Sequence, residues 1–385
     1  MSVVAMKTEA PLESGKDWVG VARELGTGFA KRAATVDEED RFVGENYADL
    51  KTSGLFAAAV PGELGGAGAS HAEMCSVVRE LARHCGSTAL AFSMHTHQVM
   101  TNAWRWRHAK APVEALLKRI AAENIVLLSS GGSDWLQGSG SATRVDGGFR
   151  IDARKIFTSG APAGDLLLTS AVYEDPEAGP TVLHFGVPMT SDAVRIESTW
   201  RVMGMRGTGS HDVTIDGFFL PDAAVGGTRP QGKWHPLFHV ISMIAIPLIY
   251  SVYVGIAEAA RDRALAFAAK RRTDHHLLDL IGGMENALAA ARLALGEMIA
   301  AAQTNQPGAA VTSRVFIART LAARAAIEAV EQAMLVAGGS AFYRGNGLER
   351  LFRDVQAARY HPLQEGLQRE LAARIALGRN IDGGQ

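Results

Sequence analysis

Gly338 to Arg369 reads GGSAFYRGNGLERLFRDVQAARYHPLQEGLQR. The pair Gly338-Gly339 stops one helical pattern, and Leu348-Glu349-Arg350-Leu351-Phe352-Arg353-Asp354 begins another that carries an Arg-Asp dipeptide. His361 then stands before Pro362, and a proline pushes the residue ahead of it onto extended backbone. Upstream, the pattern is helical from Trp234, in segments of about 236–272, 277–303 and 309–337, with 347–377 as the fourth. Breaks fall at Asp274, at Gln306-Pro307-Gly308 and at Gly338-Gly339. Alanine-rich runs such as 287–302 favour helix and close neighbours, and the short breaks predict an antiparallel four-helix bundle.

Two other blocks precede it. Residues 14 to about 124 are helical, with apolar i, i+3, i+4 spacing in 18–30 and 111–120, and a Pro/Gly loop at Val60-Pro61-Gly62-Glu63-Leu64-Gly65-Gly66. From 125 to about 225 short alternating runs take over: 141–145, 149–157, 166–172, 181–187, 194–196 and 212–215. Turn signals such as Asp146-Gly147-Gly148 and Asp216-Gly217 separate them, which predicts an antiparallel barrel or sandwich. The fold class is therefore α+β, in three domains: 1–124 helical, 125–230 β, 231–385 a helical bundle.

Composition narrows the partners. With 47% hydrophobic and 21% charged residues the 385-residue chain suits a globular protein, and a formal net charge of -1 gives no reason to expect nucleic acid. Cys75 and Cys85 form no CxxC, so reduced thiols, a cytoplasmic location and no metal site are expected. The N-terminus has no apolar stretch of a signal peptide. Residues 240–257 run uncharged for 18 positions, but with Pro247 and two tyrosines inside; a helix buried in a bundle is the expectation, and no membrane. No HExxH, P-loop or GxGxxG occurs.

Several stretches in order resemble the acyl-CoA dehydrogenase superfamily, across about residues 15–378. Pro61 to Gly66 is similar to its Pro-x-x-x-Gly-Gly loop, and Ser130-Gly131-Gly132-Ser133-Asp134 to a shortened first-strand motif. Lys155-Ile156-Phe157-Thr158-Ser159-Gly160 is similar to its Lys…Thr-Asn-Gly strand end. Gly204-Met205-Arg206 matches its Gly-Met-Arg loop, and 348–354 its Glu-Arg-Leu…Arg-Asp helix. The resemblance implies a flavin between barrel and bundle, and a homotetramer.

It further implies that Ser129, Ser130, Thr158 and Ser159 face the polar edge of the ring, with Phe157 as a wall and Ser133 nearer the phosphate. Arg271 would reach a neighbouring subunit's flavin pyrophosphate, and Gly338-Gly339 are further cofactor-binding candidates. The plain alternatives are turn-capping serines, core packing for Phe157 and a solvated helix end for Arg271. FAD is the family's cofactor. FMN enters because the first motif is shortened, the aromatic after Arg271 is missing, and Leu335 replaces an adenine-side glutamine.

The dehydrogenases of this superfamily use a glutamate base. In an ungapped register that position holds Pro362, and the alternative site on the first bundle helix holds Ala245. Glu365 could serve only with about three residues inserted. The ungapped register instead places His361 where a sister branch, the flavin-dependent monooxygenases, carries an active-site histidine. Imidazole with a near-neutral pKa suits deprotonation of a phenol or a hydrogen bond to an oxygenated flavin. His95, in Phe92-Ser93-Met94-His95-Thr96-His97, is a second candidate; Trp200 is a candidate pocket wall, and Arg206 either orients its loop or meets an anionic substrate.

Three functions stay open. One is a monooxygenase of an aromatic or heterocyclic small molecule, supplied by a flavin reductase, with His361 as acid/base. A second is an acyl-CoA dehydrogenase using Glu365 or another base, and an electron-transfer flavoprotein. The third is a non-catalytic flavin or acyl-thioester binder.

Overall fold

The computed structural model describes residues 15–130, 135–269 and 274–382. Five helices come first: α1 (Trp18–Glu38), α2 (Gly44–Ser53), α3 (His71–His84), α4 (Gly86–Ala109) and α5 (Glu114–Glu123). Local chemistry sets their starts. Asp17 accepts from the Gly20 N–H ahead of α1, and Ser70 with Glu73 forms a reciprocal capping box on α3. Pro61 to Gly66 forms the foreseen loop, where a Cβ on Gly66 would sit 2.2 Å from the Val60 carbonyl oxygen.

Eight strands follow: β1 (Leu127–Ser129), β2 (Ser141–Val145), β3 (Gly148–Thr158), β4 (Leu166–Asp175), β5 (Gly179–Pro188), β6 (Val194–Glu197), β7 (His211–Pro221) and β8 (Gly227–Pro230). They form one sheet in the order β6-β7-β3-β2-β4-β5-β8, with β1 joined to β4. The antiparallel expectation needs correction, because β4 pairs in parallel with β1 and then with β2 along the same edge. The reason lies in connectivity: β1 arrives directly from the helical block and is separated from β4 by a crossover, the connection parallel neighbours require. β1 and β8 are too short for alternation to reveal them.

The bundle holds α6 (Pro236–Ala268), α7 (His275–Gln303) and α8 (Ala309–Ala337). The fourth segment is not one helix. It divides into α9 (Leu348–Val355), a 3-10 turn at Gln356–Arg359 and α10 (Glu365–Ala376). Pro362 has no N–H to continue the ladder and clashes with the preceding turn, so residues 360–364 leave the helix. α6 is long and apolar enough to span a bilayer, yet 94% of its most apolar window is buried inside the protein. Helices and sheet share one continuous hydrophobic core.

The Arg-Asp dipeptide locks these layers together. Arg353 reaches both carboxylate oxygens of Asp37 on α1, at 3.0 and 2.5 Å, and the Met203 carbonyl at 2.8 Å. Asp354, buried, accepts the Met205 N–H at 2.5 Å. The backbones approach so closely that a Cβ on Gly204 would lie 2.3 Å from the Arg353 oxygen.

Burial sets the acid response. It pushes His95, His97 and His184 down to about 4 and His361 to about 3. Unfolded histidines titrate near 6.5, so below that pH the unfolded chain binds the extra protons and stability falls as pH falls. Asp354 acts oppositely: burial raises it to about 6, so the folded chain holds its extra proton between about 4 and 6. Four groups outweigh one, each worth about 1.4 kcal/mol per pH unit where it is fully engaged. The melting temperature should therefore drop between pH 6.5 and pH 5 in thermal denaturation; a flat or rising profile would contradict these burials.

Candidate active site

β3 ends in an irregularity. Its register against β7 shifts between Lys155 and Thr158, and Phe157 takes φ 56°, left-handed backbone that an aromatic rarely adopts. The bulge drives Phe157 outward. Its ring is 54% exposed and packs edge-on against Trp200, with centroids 5.9 Å apart. Core packing is thus excluded for Phe157, whose ring makes an apolar surface with that of Trp200 beside the strand end. Trp200 in turn donates its indole N–H to the Met205 carbonyl at 3.1 Å, tying this surface to the loop that α9 grips.

The neighbouring residues divide by direction. Ser159 is half-buried and shares a hydrogen bond with Ser210 (2.8 Å), which continues to Thr208 (2.7 Å). Thr158 is fully buried, and its hydroxyl turns back to the Lys155 carbonyl at 3.4 Å. Lys155 is also buried, its ammonium donating to Ser139 and to the Ser170 carbonyl, which stitches β3 to β4. Ser129 and Ser130 close β1, where Ser130 accepts from the Thr169 hydroxyl at 3.1 Å. A Cβ on Gly160 would lie 3.5 Å from Leu128, so the ends of β1 and β3 meet. Ser133 and Arg271 lie outside the described residues. Gly338 and Gly339 form the turn after α8, with Gly338 at φ 65°.

His361 sits on the segment that Pro362 frees from helix. Its Nε2 lies 2.5 Å from the hydroxyl of Tyr253, a fully buried residue of α6. The imidazole is directed into the protein, yet it departs from the near-neutral expectation. Burial, aided by the nearby Arg319 cation, holds it at about 3, so it is neutral at physiological pH. Burial likewise raises the Tyr253 phenol well above its ordinary value, keeping it protonated as the donor to Nε2. Among the described residues no carboxylate lies within ion-pairing distance of His361.

The other two candidates are occupied elsewhere. His95 is buried with both ring nitrogens engaged: Nε2 meets the Phe56 carbonyl at 2.8 Å, and Nδ1 accepts the Leu127 N–H at 3.0 Å. It fastens α4 to β1 and leaves no atom for a ligand. Glu365 opens α10 at the surface, hydrogen-bonded to Arg324, which lowers its pKa and keeps it a weak base. Arg206 donates to the carbonyls of Val202 (3.0 Å) and Asp37 (3.2 Å), so it orients its own loop.

Sequence reasoning missed Tyr253 and Arg319. Tyr253 was visible only as one of two tyrosines inside an uncharged run. Arg319, fully buried on α8 amid alanines, was a charge at an apolar helical position, and that mismatch was the available signal.

With this geometry in view, the comparisons are direct. Residues 20–118 match the N-terminal domain and residues 248–365 the C-terminal domain of acyl-CoA dehydrogenase. The amino sugar nitrososynthase DnmZ of Streptomyces peucetius is 30% identical over 86% of this chain and 85% of its own length. A Bacillus subtilis protein, YdbM, named as a provisional acyl-CoA dehydrogenase, is 28% identical over 93% of this chain and 96% of its own. Among solved structures, KijD3 in complex with FMN and a dTDP-linked amino keto sugar is 26% identical, with a TM-score of 0.87 and 97% of each chain covered. The chain belongs to the acyl-CoA dehydrogenase family. It is an enzyme of the flavin-dependent oxidoreductase kind.

Replacing His95 by alanine should strand the Phe56 carbonyl and the Leu127 N–H inside the core. A loss of about 2–5 kcal/mol in urea denaturation is expected. A change below about 0.5 kcal/mol would show that the two bonds do not matter.

Proposed function

We propose that this enzyme is a monooxygenase acting on an aromatic or heterocyclic small molecule, with His361 as the polar side chain at the reacting centre. The observation that carries this reading is the His361–Tyr253 pair, 2.5 Å apart and neutral, in a place where a dehydrogenase needs a carboxylate. Pro362 and Ala245 hold the two positions expected of that base, and Glu365 is committed to Arg324. The likeness to an amino sugar nitrososynthase and to an FMN-bound neighbour supports flavin-dependent oxidation of a small molecule, and leaves the aromatic substrate to the test below.

The residues present fit the ring of a flavin. Phe157 offers an exposed apolar wall, and Ser129, Ser130 and Ser159 bring polar groups to one end of the sheet. Thr158 would contribute backbone only, its hydroxyl being turned inward. Ser133, Arg271 and the Gly338-Gly339 turn would serve the phosphate end. FMN suits the chain better than FAD, since Leu335, 55% exposed, stands where an adenine contact would be polar. When bound, the flavin supplies the two-electron chemistry with dioxygen.

The chain's own contribution is positional. Tyr253 donates to Nε2, which leaves Nδ1 as the protonated nitrogen of a neutral ring, free to donate a hydrogen bond to an oxygen on the flavin side. With a pKa of about 3, His361 stays in this form throughout pH 5–8. It works as a fixed hydrogen-bond donor and takes a proton only transiently. A cytoplasmic homotetramer receiving reduced flavin from a separate reductase completes the proposal.

The test is turnover of purified protein given reduced FMN, oxygen and a panel of phenols, sulfur heterocycles and amines, read by mass spectrometry. One added oxygen atom in the product is expected, and His361→Ala should lower the rate about 100-fold or more while flavin affinity holds. Anaerobic bleaching of the oxidised flavin by acyl-CoA thioesters, undiminished in His361→Ala, would establish a dehydrogenase instead.

A further inference from the structure

Arg319 is the least expected charge in the bundle. It is 1% exposed, and among the described residues no carboxylate pairs with it. Its Nη2 donates to three carbonyls of one short segment: Ala358 at 3.2 Å, Arg359 at 3.4 Å and His361 at 2.6 Å. The Tyr250 ring lies 5.2 Å from the guanidinium carbon, and the Tyr250 hydroxyl donates to the same Ala358 carbonyl at 2.7 Å. The Arg319 Nε–H has no partner among the described residues. A buried cation neutralised only by carbonyl dipoles and a ring is a poor way to gain stability, since a packed apolar side chain usually does as well.

We propose that Arg319 is the positioning residue of the active site: it gathers the backbone from Ala358 to His361 so that the imidazole meets Tyr253 in a single orientation. The proposal rests on His361 being the working group. Docking of α10 itself has a separate anchor, because the adjacent Thr320 donates to Gln368 at 2.9 Å. Arg319 therefore addresses the 358–361 segment alone. These contacts, one Nη2 N–H being shared between carbonyls, converge at the end of the 3-10 turn and just beyond it, where the chain leaves helix.

The same cation has an electrostatic consequence. Every element packed around His361 contributes a group: Tyr250 and Tyr253 from α6, Arg319 from α8, Asp354 from α9 and Glu365 from α10. Asp354 is occupied by the Met205 N–H, and Glu365 by Arg324. Arg319 is thus the cation that adds to burial in opposing protonation of His361, so one side chain places the imidazole and helps to keep it neutral.

The experiment is histidine-labelled NMR of the full-length protein, with and without FMN, beside steady-state turnover. In the wild type the His361 imidazole should stay neutral from pH 8 down to pH 5; titration near 6.5 would overturn the proposal without any variant. Arg319→Met should raise the His361 pKa and lower kcat about tenfold, with KM and FMN affinity little changed. Arg319→Lys keeps the cation and should retain the low pKa with a smaller loss of kcat, which guards against a methionine variant that fails to fold. A wild-type-like Arg319→Met beside an inactive His361→Ala ends this proposal alone. A fully active His361→Ala ends the reading of His361 and this proposal with it.

Discussion

The structure depends first on the grip that Arg353 and Asp354 hold on the loop at Gly204-Met205-Arg206. One residue faces α1 through Asp37, and the next takes the Met205 N–H, so adjacent side chains bind the N-terminal helices, the sheet loop and α9 at a single point. Both partners of the Arg353–Asp37 pair are largely shielded, 18% and 11% exposed, and Glu349 also pairs with Arg353 at 2.7 Å, so the clamp is a small ion network and not a lone pair. Glycine at 204 is a requirement of that closeness, since the α9 backbone occupies the space of any side chain.

The clamp links the two distant parts of the sequence that the proposed function assigns to one site. Phe157 leans on Trp200, Trp200 bonds Met205, and Met205 is held by Asp354, seven residues ahead of His361. The sheet end that would receive a flavin and the segment that carries the imidazole are therefore connected through one rigid sequence of contacts. Beyond α9, the proline that breaks the helix and the buried guanidinium that collects the freed carbonyls act together. Helix breaking releases His361 from regular structure, and Arg319 restores a fixed conformation to it.

Much of this was legible in the residues. Helical periodicity marked α1, α7 and α8, turn glycines marked the strands β2 to β7, and the Arg-Asp dipeptide identified the clamp's motif, though not its partners. The exceptions have physical causes. The last helix was read as continuous because its apolar spacing persists across Pro362 in spite of the break. Parallel pairing of β4 escaped because strand neighbours follow chain topology, which alternation does not encode. The roles of His95 and Arg206 were undecidable, as a polar side chain on an apolar face looks the same whether it meets a ligand or a backbone group. Arg319 needed three-dimensional information altogether: its partners lie about forty residues away and are main-chain atoms, which carry no sequence signature.

The most direct measurement is a crystal structure of the FMN complex. The account requires the His361 imidazole, still bonded to Tyr253, to face the flavin ring within hydrogen-bond reach of the bound oxygen or substrate, with Phe157 against the ring and no acidic side chain beside its reactive edge. A flavin found with a carboxylate at that edge, and His361 remote from it, would contradict the account.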